Sequence, residues 1–159
     1  MKIMNKFQKK LTNRKEDNKG FSLVELIIVI AIMAILVGIV GTQVIPYINK
    51  SKVAKDQQVL NSISTAAVAA YSENGATSDM TINVFGAVPA DATQAKIQAD
   101  IKTASGYSDL TAFKKALGSD AGKAVTDVKV KFDTSTHKAT TSVTPVDAKY
   151  PIKDVEATL

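Results

Sequence analysis

Cysteine and tryptophan are absent from this 159-residue chain, and histidine occurs once. Without cysteine there is no disulfide framework and no thiolate-bound metal, and one histidine leaves no His-based zinc pattern. No Walker loop, GxSxG elbow, HExxH or EF-hand spacing occurs, and Asp120, Asp127 and Asp133 lack ligand spacing. Neither a metal nor a cofactor is expected. No nucleophile, base and orienting group can be assembled, so an enzyme is the least expected class. Excess charge is also missing from most of the chain. The formal net charge is +5, and residues 1–20 alone hold seven bases against two acids, so the remaining 139 residues are neutral. Lys129, Lys131 and Lys138 make at most a small basic edge, and a neutral body offers a polyanion no field, so no specific nucleic-acid partner is expected. Lysines on an edge strand rather discourage sheet-to-sheet aggregation. His137 reads as a solvated turn residue.

What is present is a long apolar run. Leu26 to Gly41 is sixteen residues without a polar side chain. Extended to Ile45, it forms a helix of about 30 Å, the thickness of a bilayer's hydrocarbon. A domain this small has too little material to surround such a helix on every side. The basic segment before the run, set against Lys50, Lys52 and Lys55 after it, keeps the amino terminus cytoplasmic and sends the chain from about residue 50 outside. A secretory signal peptide has the same order but a shorter apolar region, and Ile39-Val40-Gly41 is a poor cleavage site. The better punctuation precedes the run, at Lys19-Gly20-Phe21. Glu25, a carboxylate at the start of an apolar helix, costs about 2.5–3.5 kcal/mol at mid-membrane and less at the interface, which calls for a partner or for headgroup water.

Gly20-Phe21-Ser22-Leu23-Val24-Glu25-Leu26, preceded by a basic leader and followed by the apolar run, resembles the processing site and amino-terminal helix of type IV pilins and of the pseudopilins of type II secretion and competence systems. The resemblance is close over residues 19–41. It implies that a membrane aspartyl peptidase cuts between Gly20 and Phe21 and that Phe21 becomes the N-methylated first residue. It implies further that Glu25 pairs with the terminal ammonium of a neighbouring subunit. Phe21 and Glu25 lie one helical turn apart, so an axial offset of one turn brings unlike charges together, and other registers leave both unpaired.

Two departures stand out. Many family members carry Gly where this chain has Ala34 and Pro where it has Thr42; here the nearby proline is Pro46, which displaces any kink by about one turn. The family's common carboxy-terminal disulfide cannot form, so the distal end needs another lock.

Beyond Pro46, Val53, Leu60, Ile63, Ala67 and Ala70 form one helical stripe, with Asn74-Gly75 as the stop. Four segments are expected: a basic leader (1–20), a transmembrane or fibre-core helix (21–45), its amphipathic continuation (46–75) and a globular head (76–159). The head should contain a strand over Thr81–Phe85, a helix from Asp91 to about Thr103, and a helix capped by Ser108 that bears Leu110, Phe113 and Leu117. Val128–Phe132 and Ala139–Val143 alternate as a hairpin, with an edge strand between Val146 and Val155. Tyr47 reads as an interfacial anchor and Tyr71 as packing under the head. The fold class is α+β, a long helical spine packed on a small antiparallel sheet.

The resemblance implies a structural subunit of a type IV pilus, assembled into a helical homopolymer with the aid of a prepilin peptidase, a platform protein and a cytoplasmic ATPase. The chain would be a single-pass membrane protein first and an extracellular fibre afterwards, serving adhesion, motility, biofilm formation or DNA uptake. A pseudopilin, and a membrane-anchored or secreted binding module, are the alternatives.

Overall fold

A computed structural model describes residues 20–159. The basic leader expected over residues 1–20 therefore lies, apart from Gly20, outside the described residues. The chain divides between Thr42 and Gln43 into two units.

The first unit contains helix α1 (Leu23–Ile39), which buries none of its residues. Its many β-branched side chains are poor helix formers in water. In hydrocarbon, where every backbone N–H and C=O must find a partner within the segment, a helix is the available answer. Five residues of π-helix follow (Val40–Val44). The Thr42 hydroxyl donates back to Gly38 O at 3.1 Å and to Ile39 O at 3.4 Å. The wider turn falls where Pro46 has no N–H to give and its ring crowds the carbonyl four residues earlier.

The second unit is the head. Helix α2 (Ile45–Glu73) carries Pro46 in its first turn and ends at Asn74. Leu60, Ile63, Ala67, Ala70 and Tyr71 are buried on one face, against a four-stranded antiparallel sheet of order β1 (Met80–Asn83), β2 (Asp127–Asp133), β3 (Lys138–Thr144) and β4 (Val155–Thr158). Tyr71 stacks on Phe132 with ring centroids 4.6 Å apart, and its hydroxyl donates to Ser78 O at 3.1 Å. On β2, Val128, Val130 and Phe132 point inward while Lys129 and Lys131 point to solvent, as a sheet covered on one face requires.

Helix α3 (Ala92–Ser105) is capped by Asp91, which accepts Gln94 N–H at 2.8 Å, and stops at Gly106, whose φ of 79° is a left-handed cap. It packs on α2 through Ile97 and Ile101, and buried Gln98 donates to Asn83 O at 2.7 Å, closing the end of β1. The short helices α4 (Leu110–Ala116) and α5 (Asp120–Ala124) complete the head, with Phe113 in contact with Phe85 and Tyr107.

The structure corrects four details. The cap of α4 is Asp109, not Ser108, because the Asp109 carboxylate accepts Ala112 N–H at 2.8 Å while the Ser108 hydroxyl donates to that carboxylate. Lys129 and Lys131 lie on an inner strand, so they guard no edge; the edges are β1 and β4. The last strand forms at Val155–Thr158, beyond Pro151, since the prolines at 145 and 151 interrupt a ladder between them. Helix α5 was not expected.

Candidate processing and assembly site

Gly20 and Phe21 precede the helix, and the Phe21 side chain is 87% exposed. Ser22 is the N-cap, extended at φ −65° and ψ 143°. Its hydroxyl accepts Val24 N–H at 3.3 Å, and Ser22 N–H donates to Glu25 Oε2 at 2.8 Å, completing a capping box. Glu25 thus satisfies an otherwise orphaned donor of the first turn and puts a negative charge at the positive end of the helix dipole. One N–H uses only part of a carboxylate's accepting capacity, so the group can also take an ammonium.

From Phe21 to Ile45 no side chain is buried, and among them are Leu, Ile, Val and Met at roughly half exposure or more. The helix is long and apolar enough to cross a membrane. Tyr47 is exposed just after it, with Lys50 Nζ 5.8 Å from its ring centre. Gly20, Phe21 and Glu25 lie together in one short stretch, with the Gly20–Phe21 peptide bond in exposed, non-helical backbone and Glu25 in the first turn.

Two residues of the second unit do work that the sequence reading passed over. Asp56 is fully buried on α2, and its carboxylate accepts Gly118 N–H at 2.7 Å, Ser119 N–H at 3.0 Å and the Ser119 hydroxyl. Ser119 Oγ in turn accepts Gly122 N–H at 2.9 Å as the cap of α5. Gly122 leaves the space that the carboxylate fills, since a Cβ there would come within 2.5 Å of Asp56 Oδ2. The next residue, Gln57, grips the other loop: its Nε2 donates to Lys153 O at 2.7 Å and its Oε1 accepts Lys153 N–H at 2.9 Å. Beside that pair Ile152 is buried, and Leu159 N–H donates to His137 O at 3.0 Å. These contacts hold the carboxy-terminal segment of a cysteine-free chain. The signal for Asp56 was its position, in step with the apolar stripe between Val53 and Leu60.

His137 sits exposed in the β2–β3 turn at φ 54°, apart from any second ligand, and the described residues contain no cluster of metal-ligating side chains.

Residues 17–41 match the sequence model of the prokaryotic N-terminal methylation motif. This amino terminus carries the motif of pilin- and pseudopilin-like prepilins. The matched segment holds Gly20, Phe21, the capping box and all of α1. Such a motif implies processing by a prepilin peptidase and assembly into a fibre, and it points to a structural protein of the pilin or pseudopilin kind. Together with the apolar helix it fits a membrane-anchored protein. No curated protein and no solved structure shows significant similarity to the chain.

Proposed function

We propose that this chain is the structural subunit of a type IV pilus, cleaved between Gly20 and Phe21, N-methylated on Phe21 and polymerised through α1. The observation that carries this reading is the unbroken exposure of apolar side chains from Phe21 to Ile45 around one carboxylate at the helix start. A helix of that character is at home in lipid, and exchange of lipid for neighbouring helices lets it move from membrane to fibre core without meeting water. Cleavage after Gly20 removes the basic leader, which would otherwise hold the amino terminus at the cytoplasmic surface. The scissile bond lies in exposed backbone ahead of the cap, where its carbonyl and amide are not committed to a helical ladder.

In this reading the new ammonium on Phe21 meets Glu25 of a neighbour, and mispairing is penalised because it leaves two charges buried without partners. The platform protein and the cytoplasmic ATPase supply the work of extraction. The head from α2 onward is carried outside, where it forms the fibre surface.

Intact-mass and amino-terminal peptide mass spectrometry on membrane and sheared-surface fractions tests the reading. The expected result is a chain beginning at singly methylated Phe21 and abundant in sheared material. The same mature chain confined to the envelope would make it a pseudopilin. A chain starting at Met1 or near Thr42 would overturn the fibre mechanism and leave an anchored or secreted binding module.

A further inference from the structure

Charge in the head is unevenly distributed along α2, with lysines in excess at one end, where Asp120 and Asp147 also lie beside Asn49 and Val53. At the level of Asp56, its bonds to Gly118 and Ser119 seat the α4–α5 segment on the helix. There Lys114, Lys115 and Lys123 surround an open hollow of about 410 Å³ with Leu117 in its wall. Lys52 and Lys55 are exposed at the same end of α2. None of these five lysines has an ion-pair partner among the described residues.

Carboxylates predominate toward the other end of the helix, where Lys131 lies near Asp79. Glu73 is its last residue, and Asp100 accepts Asn74 Nδ2 at 2.8 Å. Asp91 lines a cleft with Asn74 to Ser78, while Asp79 accepts Thr134 N–H at 2.8 Å beside Asp133. Residues 56 and 73 are about 25 Å apart along a helix rising ~1.5 Å per residue. That exceeds the Debye length of about 8 Å at physiological salt, so the two ends do not neutralise one another within a subunit.

We propose that these ends dock on each other between successive copies of the chain, the lysine hollow of one head receiving the acidic α2 terminus of the next. The contact rests on the fibre reading and deepens it. Chains inserted in one membrane share one direction, so like ends cannot be brought together by an antiparallel pairing. A head-to-tail contact between unlike ends is heterologous and open-ended, as a filament requires. An amino-terminal charge pair alone leaves the heads free to rotate; complementary ends fix their stacking and steer the incoming subunit.

Charge reversal in the full-length chain, expressed in cells that assemble it, tests this. Lys114→Glu, Lys115→Glu and Lys123→Glu invert one end. Glu73→Lys with Thr77→Lys inverts the other without touching any carboxylate that accepts a hydrogen bond. Each set alone should lower fibre in the sheared fraction by about tenfold, with membrane level and amino-terminal processing unchanged, and the two sets together should restore it. Wild-type yield from either set, or failure of the combined set to improve on the single ones, would overturn the contact. Loss with the basic set alone would also overturn it and assign the hollow to another anion, such as lipid headgroups. Absence of fibres from the unaltered chain would instead overturn the fibre reading itself, a result distinguishable because no variant is involved.

Discussion

Asp56 and Ser119, 63 residues apart in sequence, are joined by both the backbone N–H and the hydroxyl of the serine, in a site sealed from solvent. No cation faces the carboxylate in a salt bridge among the described residues; backbone and hydroxyl dipoles take its charge. Asp56→Ala would strand three donors, and an unsatisfied buried donor costs ~1–3 kcal/mol. The expected loss is about 3 kcal/mol or more, with Ser119→Ala losing less, about 1–2 kcal/mol. Urea unfolding of the detergent-solubilised chain measures both. Equal stability of Asp56→Ala and the parent would remove the pin.

Gln57 grips Lys153 as a strand would, with one donor and one acceptor. Gln57→Ala is expected to cost about 1–2 kcal/mol. The effect should concentrate in residues 145–159, where amide exchange at Lys153 should accelerate well ahead of exchange in β2. Uniform acceleration across the head would show that Gln57 holds no particular segment.

Much of the fold was legible because α2, β2 and β3 obey simple periods. The stripe through Leu60, Ile63, Ala67 and Ala70 and the alternation through Val128, Val130 and Phe132 each reveal a face. The methylation motif over residues 17–41 was legible as a pattern, because basic leader, glycine and a lone carboxylate in an apolar run rarely coincide. Asp56 and Gln57 were not, since their partners are backbone atoms of loops and, for Asp56, one serine hydroxyl 63 residues away, and backbone groups leave no mark in a sequence. Asp109 displaced Ser108 as a cap for a related reason, as two adjacent residues with capping side chains are separated only by local geometry. The π-turn needed coordinates to tell it from a kink.

The capping contact of Glu25 and the register role proposed for it can be separated by substitution. Glu25→Gln keeps an oxygen for Ser22 N–H and so retains the capping box, but it has no charge to meet an ammonium. Insertion and cleavage should proceed, while fibre yield falls by about tenfold or more. Glu25→Ala should likewise insert and be cleaved yet assemble poorly, with a frayed first turn in addition. Normal yield from Glu25→Gln, read by immunoblot of sheared material, would remove the register argument.

Acid should loosen the β2–β3 turn. The Thr134 hydroxyl, then its N–H, hold the Asp79 carboxyl below its ordinary value of 3.8, and the Ser135 hydroxyl, then Thr136 N–H, do the same for Asp133. A depressed folded value means that the stabilisation is complete above the unfolded value and is lost as pH falls through the folded one. Between about pH 5 and about pH 2 the urea midpoint should drop, and it should drop less in Asp79→Ala/Asp133→Ala. Parallel pH profiles for the two chains would rule these carboxylates out as the cause.

Thr141 offers the opposite sign. It is fully buried under the sheet, and its hydroxyl has no partner among the described residues. Thr141→Val keeps the shape and discards the stranded oxygen, so a gain of about 1 kcal/mol is expected. A loss in thermal or urea unfolding would show that the hydroxyl is satisfied in solution.

Gly122 gives the Asp56 pin a historical dimension. Because any side chain at 122 would collide with the carboxylate and with Leu117, position 122 cannot drift alone. A related chain that acquires alanine at 122 should have first lost its acid at 56 and moved or shrunk its side chain at 117. Chains that keep the acid should keep the glycine, a paired inheritance that sequence comparison across descendants would expose.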